Sequence, residues 1–261
     1  MEKKAYLKNQ TGQRIVGLFD LPKGRGQFPV VIICHGFKGY KEQRHLKTLA
    51  QQLAKNGIAA FRFDFTNEVG GSAGTIENIK FSQELIDLRS VIDFVSKQKF
   101  VNPTKLGLAG HSLGGQVILT YTPTDPRIKV LADLAGVTYR GAGDTNLEKG
   151  FRGKTDQIKQ AGYFIVESRS KRKKYKIRFD FYTDLLKHDT LGQIKKINIP
   201  TLIIHGSEDS SVPLKHSQTA YKLLSQPKRM VIILGAPHTW KEPQHYKKIN
   251  PIIVGWFKKY L

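Results

Sequence analysis

Cysteine is almost absent: Cys34 stands alone in 261 residues, so no disulfide can close within the chain. No Cys/His set has the spacing of a zinc site either, and nothing points to an oxidising compartment. Long apolar runs are also missing. None approaches the roughly 18 residues of a membrane span, and the opening Met1–Lys8 carries lysines without the apolar stretch of about 7–15 residues that a secretory leader needs. The expectation is a soluble, cytoplasmic protein. Acidic residues are scarce too, with 21 Asp and Glu against 43 Lys and Arg, leaving a formal charge of +22. That excess admits polyanion binding as a function class, so its placement matters. The densest run is Arg169-Ser170-Lys171-Arg172-Lys173-Lys174-Tyr175-Lys176-Ile177-Arg178, and no second block matches it. We read it as a solvated hairpin tip, with nucleic acid an unexpected partner.

What is present is enough for a core. Hydrophobic residues make up 39% of the chain, and they fall in short runs rather than being scattered. Arg14–Phe19, Pro29–Cys34, Ile58–Phe63, Lys105–Ala109, Val130–Leu134, Thr201–Ile204 and Val231–Leu234 are mostly apolar on both faces, as strands of a parallel sheet covered by helices must be. Amphipathic stretches at Glu42–Asn56, Asn78–Lys97, Leu214–Leu224 and His245–Tyr260 supply the covering helices. The alternation predicts an α/β fold. Two regions depart from it. Lys4–Lys8 and Arg14–Phe19, joined by Asn9-Gln10-Thr11-Gly12, predict an opening antiparallel hairpin. Val137–Asp189 interrupts the alternation, with Gly141-Ala142-Gly143, a helical segment at Thr155–Gln160, and alternating runs at Tyr163–Glu167 and Tyr175–Phe181. An insert of that length inside a domain is usually a lid or binding element.

The chemistry is carried by Gly110-His111-Ser112-Leu113-Gly114, a G-x-S-x-G between a short apolar strand and a helix start. A chain that turns that sharply from strand into helix tolerates side chains poorly on either side of the serine, whose hydroxyl then projects at the top of the sheet. The bare pattern arises by chance in about one such chain in ten, so its context decides. The strand ending at Cys34 leads into His35-Gly36-Phe37-Lys38-Gly39, a turn that can present the Phe37 N–H beside that of Leu113 as an oxyanion hole. A serine hydroxyl also needs a base, and the base a carboxylate to orient it. Asp209 follows one late strand and His238 the next, both at the carboxyl edge where sites on open α/β sheets form. Asp133 and Glu208 are rival acids, and Asp64 ends a strand but precedes the serine. Among the eight histidines His238 alone combines chain order with a strand-end position. Cys34, inside an apolar strand, reads as a small hydrophobe.

These residues resemble the α/β-hydrolase fold superfamily over nearly the whole chain. The resemblance rests on His35-Gly36-Phe37, Arg62-Phe63-Asp64-Phe65 with Gly70-Gly71-Ser72, Gly110-His111-Ser112-Leu113-Gly114-Gly115, His205-Gly206-Ser207-Glu208-Asp209 with Val212-Pro213, and Pro237-His238. Within the superfamily the chain is similar to lidded carboxylesterases that include bacterial cinnamoyl and feruloyl esterases, some relatives of which act on aromatic polyesters. The resemblance implies one domain over residues 1–261, a mostly parallel sheet of about eight strands flanked by helices, and a cap formed by residues 137–190 before the acid-bearing strand. It implies a serine carboxylesterase that works through an acyl-enzyme without cofactor or metal. Ser112, Asp209 and His238 would be the triad and Phe37 and Leu113 the oxyanion donors, acting on small-molecule esters with aromatic or medium-sized acyl groups. Lys38 departs from the small polar residue often found there. Aromatic residues gather in the insert (Tyr139, Phe151, Tyr163, Phe164, Tyr175, Phe179, Phe181, Tyr182), which suits either a ring-stacking cap or a satellite core. Peptidase, lysophospholipase and thioesterase activity use the same machinery and stay open, as does an inactive scaffold binding polyanions through residues 169–178.

Overall fold

The computed structural model describes residues 1–139, 145–168, 173–240 and 242–261. The N-terminal hairpin forms as expected: β1 (Glu2–Lys8) pairs antiparallel with β2 (Arg14–Asp20). Asn9 closes the turn, its Oδ1 accepting from the amides of Thr11 at 3.1 Å and Gln13 at 2.8 Å. β1 is an outer strand and largely exposed, and its lysines discourage further pairing.

The apolar runs become β3 (Phe28–Cys34), β4 (Ala59–Asp64), β5 (Val101–His111) and β6 (Ile128–Leu134). β7 (Tyr163–Ser168) and β8 (Lys173–Arg178) form a separate antiparallel ribbon. β9 (Thr201–Gly206) and β10 (Lys228–Ile233) complete an eight-stranded sheet in the order β1-β2-β4-β3-β5-β6-β9-β10, parallel from β4 onward. Helices cover both faces, as buried strands require. On one face α1 (Arg44–Lys55) and the C-terminal helix pack through Leu46, Leu49, Leu53, Ile249, Ile253 and Phe257. On the other lie α2 (Phe81–Ser96) and α3 (Leu113–Tyr121), whose Leu88, Val91, Leu113 and Val117 join the larger core.

Between β6 and β9 the insert contributes α4 (Asn146–Lys149), α5 (Thr155–Ala161), the β7–β8 ribbon, α6 (Asp180–Leu186) and α7 (Thr190–Ile194). After β9 come α8 (Lys215–Leu223) and α9 (Pro243–Tyr260). Two expectations change. The run Tyr175–Phe181 is not one strand: β8 ends at Arg178, and Phe179 opens the turn into α6 because it meets Tyr182 at helical spacing, ring centroids 5.9 Å apart. The last strand begins and ends earlier than Val231–Leu234, leaving Leu234 82% exposed beyond its end. Phe151 packs edge-on against Phe164 at 4.8 Å and Tyr182 at 5.0 Å, and Phe151, Phe164, Phe179 and Phe181 are continuous with the larger core. Gly141-Ala142-Gly143 and Arg169–Arg172 lie outside the described residues.

Candidate active site

The strand-to-helix turn puts Ser112 at φ 58°, ψ −117°, a left-handed conformation that costs a non-glycine residue on the order of 1–3 kcal/mol. Its neighbours hold it there. The Ser112 amide donates to the Leu134 carbonyl at 3.0 Å, and its own carbonyl accepts from Gln116 at 3.1 Å and Val137 at 3.3 Å. Gly114 is required because a Cβ there would run into the carbonyls of Cys34 and His35.

His238 follows β10 and turns its ring back over the elbow. Its Nε2 lies 2.9 Å from Ser112 Oγ, and its Nδ1 lies 2.6 Å from Asp209 Oδ2. An Nδ1–H that donates to the carboxylate leaves Nε2 free to accept the serine proton. The Asp209 side chain is 1% exposed and that of His238 16%. Burial opposes the Asp209 charge, but hydrogen bonds from His205, His238 and the Val212 amide outweigh it and hold the carboxyl far below the usual range. Asp209 Oδ1 accepts from the amides of Ser211 at 2.8 Å and Val212 at 2.9 Å, which fixes the plane of the carboxylate.

The Phe37 and Leu113 amides donate to no acceptor among the described residues, and both residues line the same cavity as Ser112 and His238. Gly36 brings their two loops together: a Cβ there would come 2.8 Å from the Ser112 Cβ. His35 braces the turn, donating from Nδ1 to the Gly36 carbonyl at 3.0 Å and accepting at Nε2 from the Phe65 amide at 3.0 Å, while burial lowers its pKa. Lys38, at φ 58°, donates its amide to Glu68 Oε1 at 3.0 Å and its Nζ to the Glu167 carbonyl of β7 at 2.8 Å. The residue that departs from the esterase pattern thus ties this turn to the insert.

The rival acids lie elsewhere. Glu208 is exposed; Asp64 is bound by Lys41 Nζ at 2.7 Å; Asp133 is enclosed beneath the elbow without reaching His238. Cys34 is fully buried, and burial pushes its thiol well up.

Sequence reasoning missed two histidines. His205 Nε2 donates to the Val212 carbonyl at 2.9 Å and approaches Asp209 Oδ2 at 3.2 Å, while its Nδ1 accepts from Ser217 Oγ at 2.7 Å. A histidine four residues before the acid, across one strand end, was the available signal. His111 Nε2 donates to the His238 carbonyl at 2.8 Å; burial, with His45 and His238 beside it, keeps its pKa well below the ordinary value.

The cavity above Ser112 has a volume of about 680 Å³. Phe37, Leu113 and Val212 line it together with Leu147, Ile158 and Val166 of the insert. Phe37 stacks on Phe181, centroids 5.2 Å apart at 23°. Among the described residues no group of three or more His, Cys, Asp or Glu is arranged to hold a metal, and no helix is long and apolar enough to cross a membrane.

The model of the prolyl oligopeptidase family matches residues 75–261. Human mitochondrial palmitoyl-protein thioesterase ABHD10 is 27% identical over 233 residues, covering 85% of this chain and 72% of the relative. Among solved structures, Est1E from Butyrivibrio proteoclasticus with ferulic acid bound superposes with a TM-score of 0.79 at 22% identity, covering 98% of each chain. The α/β hydrolase GrgF from Penicillium sp. sh18 superposes with a TM-score of 0.82 at 18% identity, covering 100% of this chain and 99% of the other. The fold is that of the α/β hydrolases.

Proposed function

Because the chain belongs to the prolyl oligopeptidase family, we propose that it is a serine hydrolase, and within that class a carboxylesterase acting on esters with an aromatic or medium-sized acyl group. The observation that carries this reading is the unbroken run of hydrogen bonds from Asp209 through His238 to Ser112 at the base of an apolar cavity. In the first half-reaction His238 Nε2 takes the Ser112 proton as Oγ attacks the ester carbonyl. The Phe37 and Leu113 amides receive the oxyanion, and the imidazolium then protonates the departing alkoxide. In the second, His238 deprotonates a water that attacks the acyl-enzyme, and the proton returns to Ser112 as the acid leaves. Asp209 stays ionised throughout and fixes the imidazole tautomer. No metal or cofactor is assigned a step.

The insert 137–190 is read as a cap, since its side chains supply one wall of the cavity. The apolar lining and the Phe37–Phe181 pair suit an acyl group with a ring, and the likeness to Est1E with ferulic acid bound is in keeping with this.

The test is hydrolysis of methyl ferulate and of 4-nitrophenyl butyrate by the purified protein. Ser112→Ala is expected to lose about 10⁴-fold or more in kcat and to stop reacting with a fluorophosphonate probe. Parent-like turnover by that variant would end the proposal. A second reading, acyl-thioester hydrolysis, is favoured by the likeness to the thioesterase. Matched oxygen esters, thioesters and amides separate it: a kcat/KM more than about tenfold higher on the thioester replaces the esterase assignment.

A further inference from the structure

The β7–β8 ribbon shows two unlike faces. Phe164, Val166 and Ile177 turn inward to the core of the insert. Directly paired residues of an antiparallel ribbon share a face, and the register sets Tyr163 opposite Arg178, Ile165 opposite Lys176 and Glu167 opposite Lys174 on the outer one. Tyr163 is 39% and Ile165 55% exposed, two of the few large apolar side chains left in solvent. Beside them stand three exposed cations against one acid. Lys176 Nζ lies 4.3 Å over the Tyr163 ring. It also sits 3.7 Å from Glu77, and Arg178 Nε 3.4 Å from Asp180, but these are exposed pairs that hold their cations weakly. Tyr163, Ile165 and Glu167 also line the cavity that ends at Ser112.

We propose that this outer ribbon face docks the protein on an anionic phospholipid surface, with the mouth of the cavity turned toward the lipid. Charge complementarity selects the sign of the partner, and the apolar pair selects its kind. Cations alone would suit any polyanion, but an exposed isoleucine between them gains nothing from phosphates in water. At the boundary of headgroups and acyl chains it is buried, and a tyrosine with a lysine above its ring fits the same depth. Docking stands independently of the enzymatic reading. Its consequence for substrate, that the ester hydrolysed is an amphiphile drawn from the lipid phase, rests on that reading.

The experiment is sedimentation of the whole protein with vesicles of phosphatidylcholine, with and without about one-third phosphatidylglycerol, at low and high salt. Binding is expected only to the anionic vesicles, falling as salt rises. Lys174→Gln, Lys176→Gln and Arg178→Gln are each expected to weaken partitioning about fivefold, and the three together about a hundredfold. Ile165→Ser is expected to weaken it at both salt concentrations. Equal binding to neutral vesicles, or parent-like binding by the triple variant, overturns the proposal. So does duplex DNA that binds as tightly as the anionic vesicles with no loss in Ile165→Ser, which assigns the face to nucleic acid instead. Hydrolysis of a soluble ester by the triple variant at the parent's rate shows that its fold is intact. If neither protein cleaves any ester while anionic vesicles still bind, the esterase reading fails and the docking surface remains.

Discussion

Replacing Asp133 by asparagine should change how stability responds to pH while leaving turnover nearly untouched. Asp133 is fully buried on β6, flanked by Gly110 of β5 and Ile203 of β9, and a side chain on Gly115 or Gly136 would collide with it. Neither carboxyl oxygen has a hydrogen-bond partner among the described residues; the Gly136 amide falls short of one and, with His205, only partly offsets the burial that pushes the carboxyl up to about 7. The ordinary value is 3.8. Between the two, the unfolded chain has released a proton that the folded chain still holds, so Asp133 makes stability fall as pH rises through that window and has no further effect above it. Three units correspond to about 4 kcal/mol. The substituted amide does not titrate. Buried without partners, it carries its own penalty of about 1–3 kcal/mol, but the same one at every pH. Guanidinium unfolding of both proteins from pH 4 to pH 8 should therefore show the variant gaining about 4 kcal/mol on the parent across the range. Taking the difference removes the opposite slopes contributed by carboxyls that are held low, such as Asp209 and Asp125. Parallel curves would refute the assignment of a buried, protonated Asp133. Turnover should stay within about threefold, and a loss of about a thousandfold would make Asp133 rather than Asp209 the acid of the proposed triad.

His205→Ala removes the imidazole that stands beside that of His238 at Asp209 Oδ2 and leaves Ser217 Oγ without its partner. We expect kcat/KM to fall about 10–100-fold, because the carboxylate loses a group that holds it in place and keeps it ionised; His205→Gln should recover part of the loss. Gly114→Ala should cost more than about 3 kcal/mol, read as a fall in Tm of at least about 6 °C, since the new methyl meets backbone carbonyls that cannot give way. Arg62, fully buried, donates to Asp20 at 2.8 Å, Glu2 at 2.9 Å and the Lys41 carbonyl at 2.9 Å. Arg62→Met should cost about 3–5 kcal/mol at neutral pH by stranding Asp20. Burial raises the Asp20 carboxyl, so the loss should shrink as pH falls and protonation removes its stranded charge, and shrink again with Asp20→Leu added; chemical denaturation measures all three.

The sheet was legible because parallel strands buried on both faces need apolar runs at their centres, and Val30–Cys34 of β3, Val130–Ala132 of β6 and Leu202–Ile204 of β9 supply them. The elbow was legible because so sharp a turn leaves a local glycine signature. The insert was harder to read. Phe179 and Phe181 continue an alternating pattern on paper, and only the aromatic partners that meet them in three dimensions, Phe151, Tyr182 and Phe37, turn the chain into α6. Boundaries elsewhere moved by one to four residues, since a strand stops where its neighbour stops pairing, which composition does not encode. The Lys38 link to β7 escaped notice because it joins segments far apart in the chain, and His205 because a spacing of four residues does not tell which way its ring turns past the strand end.

The solitary Cys34 has a practical consequence. It sits at the end of β3 with no surface of its own and a thiol that resists ionisation. A maleimide or iodoacetamide reagent can reach it only when the central strands part. Its alkylation rate in native buffer, compared with that of the denatured chain, therefore reads out the free energy of opening, and no other sulfhydryl contributes background.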